Sequence, residues 1–107
     1  MAEETVFSKI VSGVIPVEKL AETDRVIAFP DINPQAPVHI LVIPKSTEYV
    51  DVTALAAGDP TLLAEMVEVA KKLAEEHANG EYRLIFNNGA SAGQTVFHVH
   101  AHVLANI

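Results

Sequence analysis

The chain has 107 residues, half of them hydrophobic, no cysteine, and a formal net charge of −7. One compact domain, residues 1–107, with a single core is the expected organisation; disulfides, thiolate catalysis and Cys-based zinc sites are excluded. The acidic balance argues against broad binding to a nucleic-acid backbone, which needs clustered Lys and Arg, yet a small phosphate ligand can still be held locally by His and backbone N–H groups.

No run of about 18 apolar residues exists, so no membrane span is expected. The start, Met1-Ala2-Glu3-Glu4, is acidic and lacks the apolar region of a signal peptide. A cytoplasmic location fits. No repeat, linker or low-complexity segment interrupts the chain.

Thr5 to Ser12 reads as a short helix. Thr5 can cap it, Phe7, Ile10 and Val11 fall at helical spacing, and Gly13 ends it. Ile15-Pro16 breaks the chain, and Val17 to Ala21 is a plausible strand. After the turn at Thr23-Asp24, Arg25 to Phe29 is strand-like. Pro30-Asp31-Ile32-Asn33-Pro34 is a loop held by two prolines. Asp31 has two readings there. It is a turn residue bonding its own backbone, or a carboxylate that accepts two hydrogen bonds from a diol.

Val38 to Ile43 is apolar apart from His39 and is bounded by Pro37 and Pro44, which predicts a central strand. Val50 to Ala57 reads as a short helix. Asp59-Pro60 is a helix start, with an N-cap acceptor and proline at the first position. Leu62, Leu63, Met66, Val69, Ala70 and Leu73 then recur at three- and four-residue steps, as a core stripe rather than a cofactor box. Glu68 and Lys72 form an i, i+4 pair on the other face. This main helix should end at Asn79-Gly80, with His77 solvated near its C-terminus.

Glu81 to Phe86 reads as a strand. Asn87 to Thr95 is small and polar. It is either only a loop, or one whose Gly93 lets backbone N–H groups approach a phosphate, with Gln94 and Thr95 adding donors.

The last stretch, Val96 to Leu104, carries His98, His100 and His102, with Val99, Ala101 and Val103 between and after them. Strict alternation predicts a strand with two different faces. All three imidazoles then project from one face, about 6.5–7 Å apart. Burying three titratable rings costs free energy unless each finds a partner, so a purely structural role is disfavoured. A metal reading would take His39 as a third ligand beside two triplet histidines, but no carboxylate stands at ligand spacing beside the triplet in the sequence. The reading preferred is nucleophilic and acid–base chemistry. Neutral imidazole is a nucleophile at neutral pH and imidazolium an acid at nearly the same pH.

These residues resemble the histidine triad family, whose signature is His-x-His-x-His followed by two apolar residues, here His98-Val99-His100-Ala101-His102-Val103-Leu104. Phe7-Ser8-Lys9-Ile10, Ile15-Pro16, Phe29-Pro30-Asp31-Ile32, Pro34-Gln35-Ala36-Pro37, His39-Ile40-Leu41-Val42-Ile43-Pro44-Lys45 and Gly93-Gln94-Thr95 are similar to its histidine triad nucleotide-binding branch. The triplet together with the His39 segment is a strong signal, and the likeness spans nearly the whole chain.

The resemblance implies an α+β fold: a five-stranded antiparallel sheet with one long and one or two short helices. Two copies would join into a ten-stranded sheet near Glu81 to Phe86, giving a homodimer. The ligand would be a purine nucleoside monophosphate, with no metal or other cofactor. His100 would attack phosphorus and form a covalent nucleotidyl-histidine, which water then hydrolyses. His102 would protonate the leaving group, and His39 and His98 would orient the active ring or bind phosphate. Asn87, Gly93 and Thr95 would hold phosphate oxygens and the leaving side. Asp31 would grip the ribose hydroxyls, and Phe7, Ile10, Ile15, Phe29 and Ile32 would sandwich the base. In that branch a tryptophan-bearing tail follows the triplet. Here Ala105-Asn106-Ile107 follows Leu104 and the chain has no tryptophan, a departure that bears on the leaving-group side. A nucleotide-binding regulatory module with little turnover, or a His-based metal-binding protein, are the alternatives to a nucleoside phosphoramidate hydrolase.

Overall fold

The computed structural model describes residues 4–106. Most of the acidic start read above, and Ile107, lie outside them. Helix α1 spans Val6–Ser12. Its first turn is closed by a capping box: Ser8 N–H donates to Thr5 Oγ1 at 3.1 Å and Thr5 N–H to Ser8 Oγ at 2.8 Å. Gly13 ends it at φ 87°, a left-handed conformation that suits glycine.

Five strands follow: β1 Ala21–Glu22, β2 Val26–Pro30, β3 Val38–Pro44, β4 Arg83–Ile85 and β5 Ala101–Ala105. They form one antiparallel sheet in the order β1-β2-β3-β5-β4. Helix α2, Val52–Gly58, and the long α3, Pro60–His77, lie between β3 and β4 in the chain. The five-stranded antiparallel α+β fold expected from the sequence is the one observed. Asp59 caps α3 through its side chain onto Leu62 N–H, with Pro60 in the first turn.

The alternation along the central strands sorts the core into two layers. Val38, Ile40 and Val42 of β3 and Ala101, Val103 and Ala105 of β5 pack against Leu62, Met66, Val69 and Leu73 of α3. The opposite face carries Leu41 and Ile43 beside Phe7 and Ile10 of α1, with Ile27 and Phe29 of β2. His39 and His102 belong to this second face by register, since His39 sits opposite Leu104 and His102 opposite Leu41. Among the described residues, no helix is long and apolar enough to cross a membrane.

Three strands are shorter than the sequence suggests. Val17 to Ala21 contributes only its end to β1, where pairing begins as Leu20 N–H reaches Ala28 O at 2.8 Å. Glu81 to Phe86 contributes only Arg83–Ile85, at the sheet edge. Val96 to Leu104 enters the sheet only at Ala101. The reason lies in β3. Continuing the register of Val42 opposite Ala101 would set Val99 opposite Pro44, and proline has no N–H to give to a ladder. Val99 N–H instead donates to Tyr49 O at 3.0 Å. His98 and His100 therefore stand on an irregular segment leading into β5. The expected Glu68–Lys72 pair is also absent among the described residues, and Glu65 pairs with Arg25 instead.

Candidate active site

Each imidazole of the cluster has a defined partner. His98 Nε2 lies 2.8 Å from Pro44 O. A carbonyl only accepts, so Nε2 carries the proton. His100 Nδ1 lies 2.9 Å from His98 O. The same argument puts the proton on Nδ1 and leaves Nε2 with an unshared pair. His39 Nδ1 accepts from the backbone N–H of Gln35 at 3.0 Å. His39 must therefore be protonated on Nε2, which faces His102 Nδ1 at 3.0 Å. His102 accepts at Nδ1 and keeps its own proton on Nε2.

The rings also pack on one another. His100 and His102 have centroids 5.1 Å apart, and Phe7 meets the edge of His100 at 4.8 Å. Despite leaving the strand, the triplet keeps its alternation: Val99 points into the α3-side core while His98 and His100 face Phe7. Burial lowers the proton affinity of all three triplet imidazoles. For His98 and His100 a carbonyl hydrogen bond opposes this in part, and for His102 the neighbouring His100 and His39 add to it. The rings are thus held neutral, the form in which a nitrogen can attack.

Asp31 makes the turn bond that the first of its sequence readings expects. Its Oδ1 accepts from Asn33 N–H at 2.8 Å, the turn bond. Its Oδ2 lies 3.4 Å from His39 Nε2. Asp31, His39 and His102 offer atoms within 4.8 Å of one another, so a carboxylate does stand at metal-ligand spacing beside one triplet histidine. The sequence reading that found none is corrected: the carboxylate arrives from the β2–β3 loop, 71 residues before His102 by numbering (102 minus 31).

The glycine-bearing loop has a different internal economy from the one expected. Gly93 is left-handed at φ 96°, beside the Asn87 side-chain amide, which lies 3.9 Å from where a Cβ would stand. Its N–H, however, bonds Ala90 O, and Gln94 N–H bonds Gly89 O. The Gln94 side chain is buried, 3 % exposed. Its amide donates to Val50 O and Val96 O and accepts from Gly89 N–H. Gln94 is therefore a brace of the loop and has no donor left for a phosphate. Asn87 is half-buried and Thr95 exposed. Among the described residues, neither side chain is engaged in a hydrogen bond, so these two keep the donors that the loop presents.

The apolar residues divide as well. Phe7, Ile10 and Phe29 are buried in the second core layer and Ile15 packs half-buried against it. Ile32 is 93 % exposed. Phe7 packs against His98 and His100 with Phe29 behind it, and Ile32 is exposed on the Asp31 loop. A cleft of about 530 Å³ reaches His98, lined by Val6, Val50, Thr95, Val96 and Phe97 among others. A second of about 560 Å³ lies at the β4 edge, lined by Tyr82, Arg83 and Leu104, away from the triplet. Of the histidine cluster only His98 lines the first, and the second is lined by Gln35, whose backbone N–H bonds His39.

Sequence reasoning named His98 but missed that three backbone groups hold the imidazoles. Pro44 and His98 act through carbonyls and Gln35 through its amide, and backbone groups leave no residue-type signal. The motif Pro34-Gln35-Ala36-Pro37 marked the position of Gln35 but not its partner.

The chain matches, over residues 4–107, the family described as scavenger mRNA decapping enzyme C-term binding. It is 45 % identical to the purine nucleoside phosphoramidase of Escherichia coli strain K12, over 97 % of this chain and 88 % of that protein. It is 47 % identical to a HIT-like protein of Synechocystis, over 97 % and 91 %. The chain belongs to the histidine triad family. Among solved histidine triad structures, a family hydrolase from Clostridium thermocellum superposes with a TM-score of 0.91 at 42 % identity, covering 100 % of this chain and 94 % of that one. One from Legionella pneumophila gives 0.89 at 40 %, covering 95 % and 92 %.

Proposed function

We propose that the chain hydrolyses purine nucleoside 5′-phosphoramidates, or related nucleoside phosphoanhydrides, through a covalent nucleotidyl-His100. The observation that carries this is the His100 Nδ1 to His98 O contact of 2.9 Å, which leaves Nε2 unprotonated on a ring that burial keeps neutral. Nε2 attacks phosphorus, and the bond from phosphorus to the leaving nitrogen or oxygen breaks. The leaving atom takes a proton that enters with the substrate and is handed on at the His102 side, where Nε2–H is presented; a neutral imidazole N–H is too weak an acid to give up its own. Water then attacks the phosphorus of the nucleotidyl-histidine, its proton returning to the histidine cluster. The nucleoside monophosphate leaves and His100 is restored.

Asp31 on the ribose, Asn87 and Thr95 on phosphate oxygens, and Ile32 with Ile15 against the base complete the reading. Gly93 shapes the turn that sets Asn87 and Thr95. Two copies pair through the short β4 edge, whose backbone groups need a partner, and light scattering at micromolar concentration should show a dimer. The deciding experiment is a panel of nucleoside phosphoramidates and dinucleoside polyphosphates assayed before and after exhaustive chelation. Turnover that survives chelation, with a one-nucleotidyl mass increase on a slow substrate, is expected. Turnover that vanishes with chelator and returns with zinc overturns the scheme.

A further inference from the structure

Asp31, His39 and His102 make a two-histidine, one-carboxylate cluster whose ligand atoms lie within 4.8 Å of one another. Such a set suits zinc and other divalent transition metals. Two of its members are ready to bind. Asp31 Oδ2 is not the oxygen used by the Asn33 turn bond. His102 Nδ1 is unprotonated, since it accepts from His39.

His39 is not ready. Its Nδ1 accepts the Gln35 backbone N–H at 3.0 Å. A backbone N–H has no alternative role, so the ring proton sits on Nε2, the atom that faces both Asp31 and His102. To ligate a metal at Nε2, His39 would have to move that proton to Nδ1. Two N–H groups would then point at each other in a buried site. The same proton sets His102: with Nδ1 accepting, its own N–H is Nε2.

We infer that the backbone amide of Gln35 is a positioning group, a tautomer lock on His39 that aligns the resting proton of His102 and keeps the Asp31–His39–His102 cluster from taking up a divalent metal. The catalytic consequence rests on the proposed role of His102, whereas the tautomer and the metal exclusion rest on geometry alone. The lock is a main-chain group, so the side chain of Gln35 is dispensable to it. That side chain is exposed and bonds only Asn33 O, at 3.1 Å, on its own loop. Metal sites are ordinarily built with the opposite arrangement, the remote ring N–H donating to a carboxylate or carbonyl. Here a donor stands where that acceptor would be.

The test reads ring nitrogens rather than turnover. Long-range proton–nitrogen NMR of the wild-type chain, uniformly labelled with nitrogen-15, should show His39 as the Nε2–H tautomer. Titration with zinc should leave the His39 and His102 signals in place at concentrations that perturb exposed His77. Replacing the Gln35 amide by an ester removes the donor. His39 should then populate the Nδ1–H form and zinc affinity at His39 and His102 should rise about tenfold or more, the size of outer-shell effects on metal sites. Gln35→Ala, which keeps the amide, should retain the wild-type tautomer. A wild-type His39 in the Nδ1–H form overturns the inference, as does equal zinc binding at His39 by the wild-type and ester chains, or an ester-like spectrum for Gln35→Ala. Should the ester chain fail to fold, the wild-type tautomer and zinc titration decide alone. These readouts are the same whether or not phosphoramidates are the substrates, so failure here and failure of the proposed activity are separable.

Discussion

His100 is tied by Nδ1 to the carbonyl oxygen of His98, 2.9 Å away and two residues earlier. The proposed nucleophile is thus oriented by the backbone of its own triplet, and its tautomer follows from a group that no side-chain substitution removes. Deleting the ring should remove the chemistry while leaving this backbone in place. His100→Asn should lose about four orders of magnitude or more in turnover, the scale seen when a nucleophile is lost. Affinity for a nucleoside monophosphate should change far less. Steady-state kinetics paired with nucleotide binding by calorimetry checks both, and turnover near the wild-type rate would move the nucleophile elsewhere.

The pH behaviour follows from burial. His98, His100 and His102 all have lowered proton affinity in the folded chain, desolvation being the largest cause for each. Unfolding releases them to an ordinary imidazole value of about 6.5. Below that value the unfolded chain binds more protons than the folded one, so stability falls as pH falls. Above it the contribution is fully present and flat. Urea denaturation at pH 8, 7, 6 and 5 should show a plateau and then a decline that begins near 6.5. His98→Asn should make that decline shallower, because one buried ring no longer takes part.

Asp31 joins a turn to the site, with one oxygen on Asn33 N–H and the other beside His39. If it also receives a ribose diol, Asp31→Asn should weaken ribonucleotides more than 2′-deoxyribonucleotides. Hydrogen bonds to a charged group are worth about 1.5–3 kcal/mol, or roughly 10- to 150-fold in affinity. Competitive binding of the two nucleotide series measures it. An equal effect on both would confine Asp31 to its turn and to His39.

Gln94 ties three segments together: its amide reaches Val50 O, Val96 O and Gly89 N–H from a buried position. Truncation leaves those backbone groups without partners. Gln94→Ala should destabilise the fold by about 1–3 kcal/mol, seen as a lower urea midpoint with an unchanged slope. Normal stability would mean that the loop re-forms without its brace.

The alternation of the triplet, the capped start of the long helix and the apolar run around His39 were legible in the sequence because each is a local pattern. A period of two sorts side chains to two faces whether or not hydrogen bonding is regular, so His98 and His100 share a face with His102 even though only His102 lies in β5. The chemistry open to a row of imidazoles was legible for the same reason. The partners of those imidazoles were not. His39 meets His102 because β3 lies beside β5, a matter of strand order. Asp31 reaches them because the β2–β3 loop folds over that face, and Gln94 turns inward because Val50 offers a carbonyl just before α2. Ile32 shows the limit from the other side, since an apolar residue in a motif can still stand in solvent. Sequence sets which groups a segment can present. Which proton each imidazole holds depends on carbonyls and amides brought from distant parts of the chain, and only tertiary structure decides where those go.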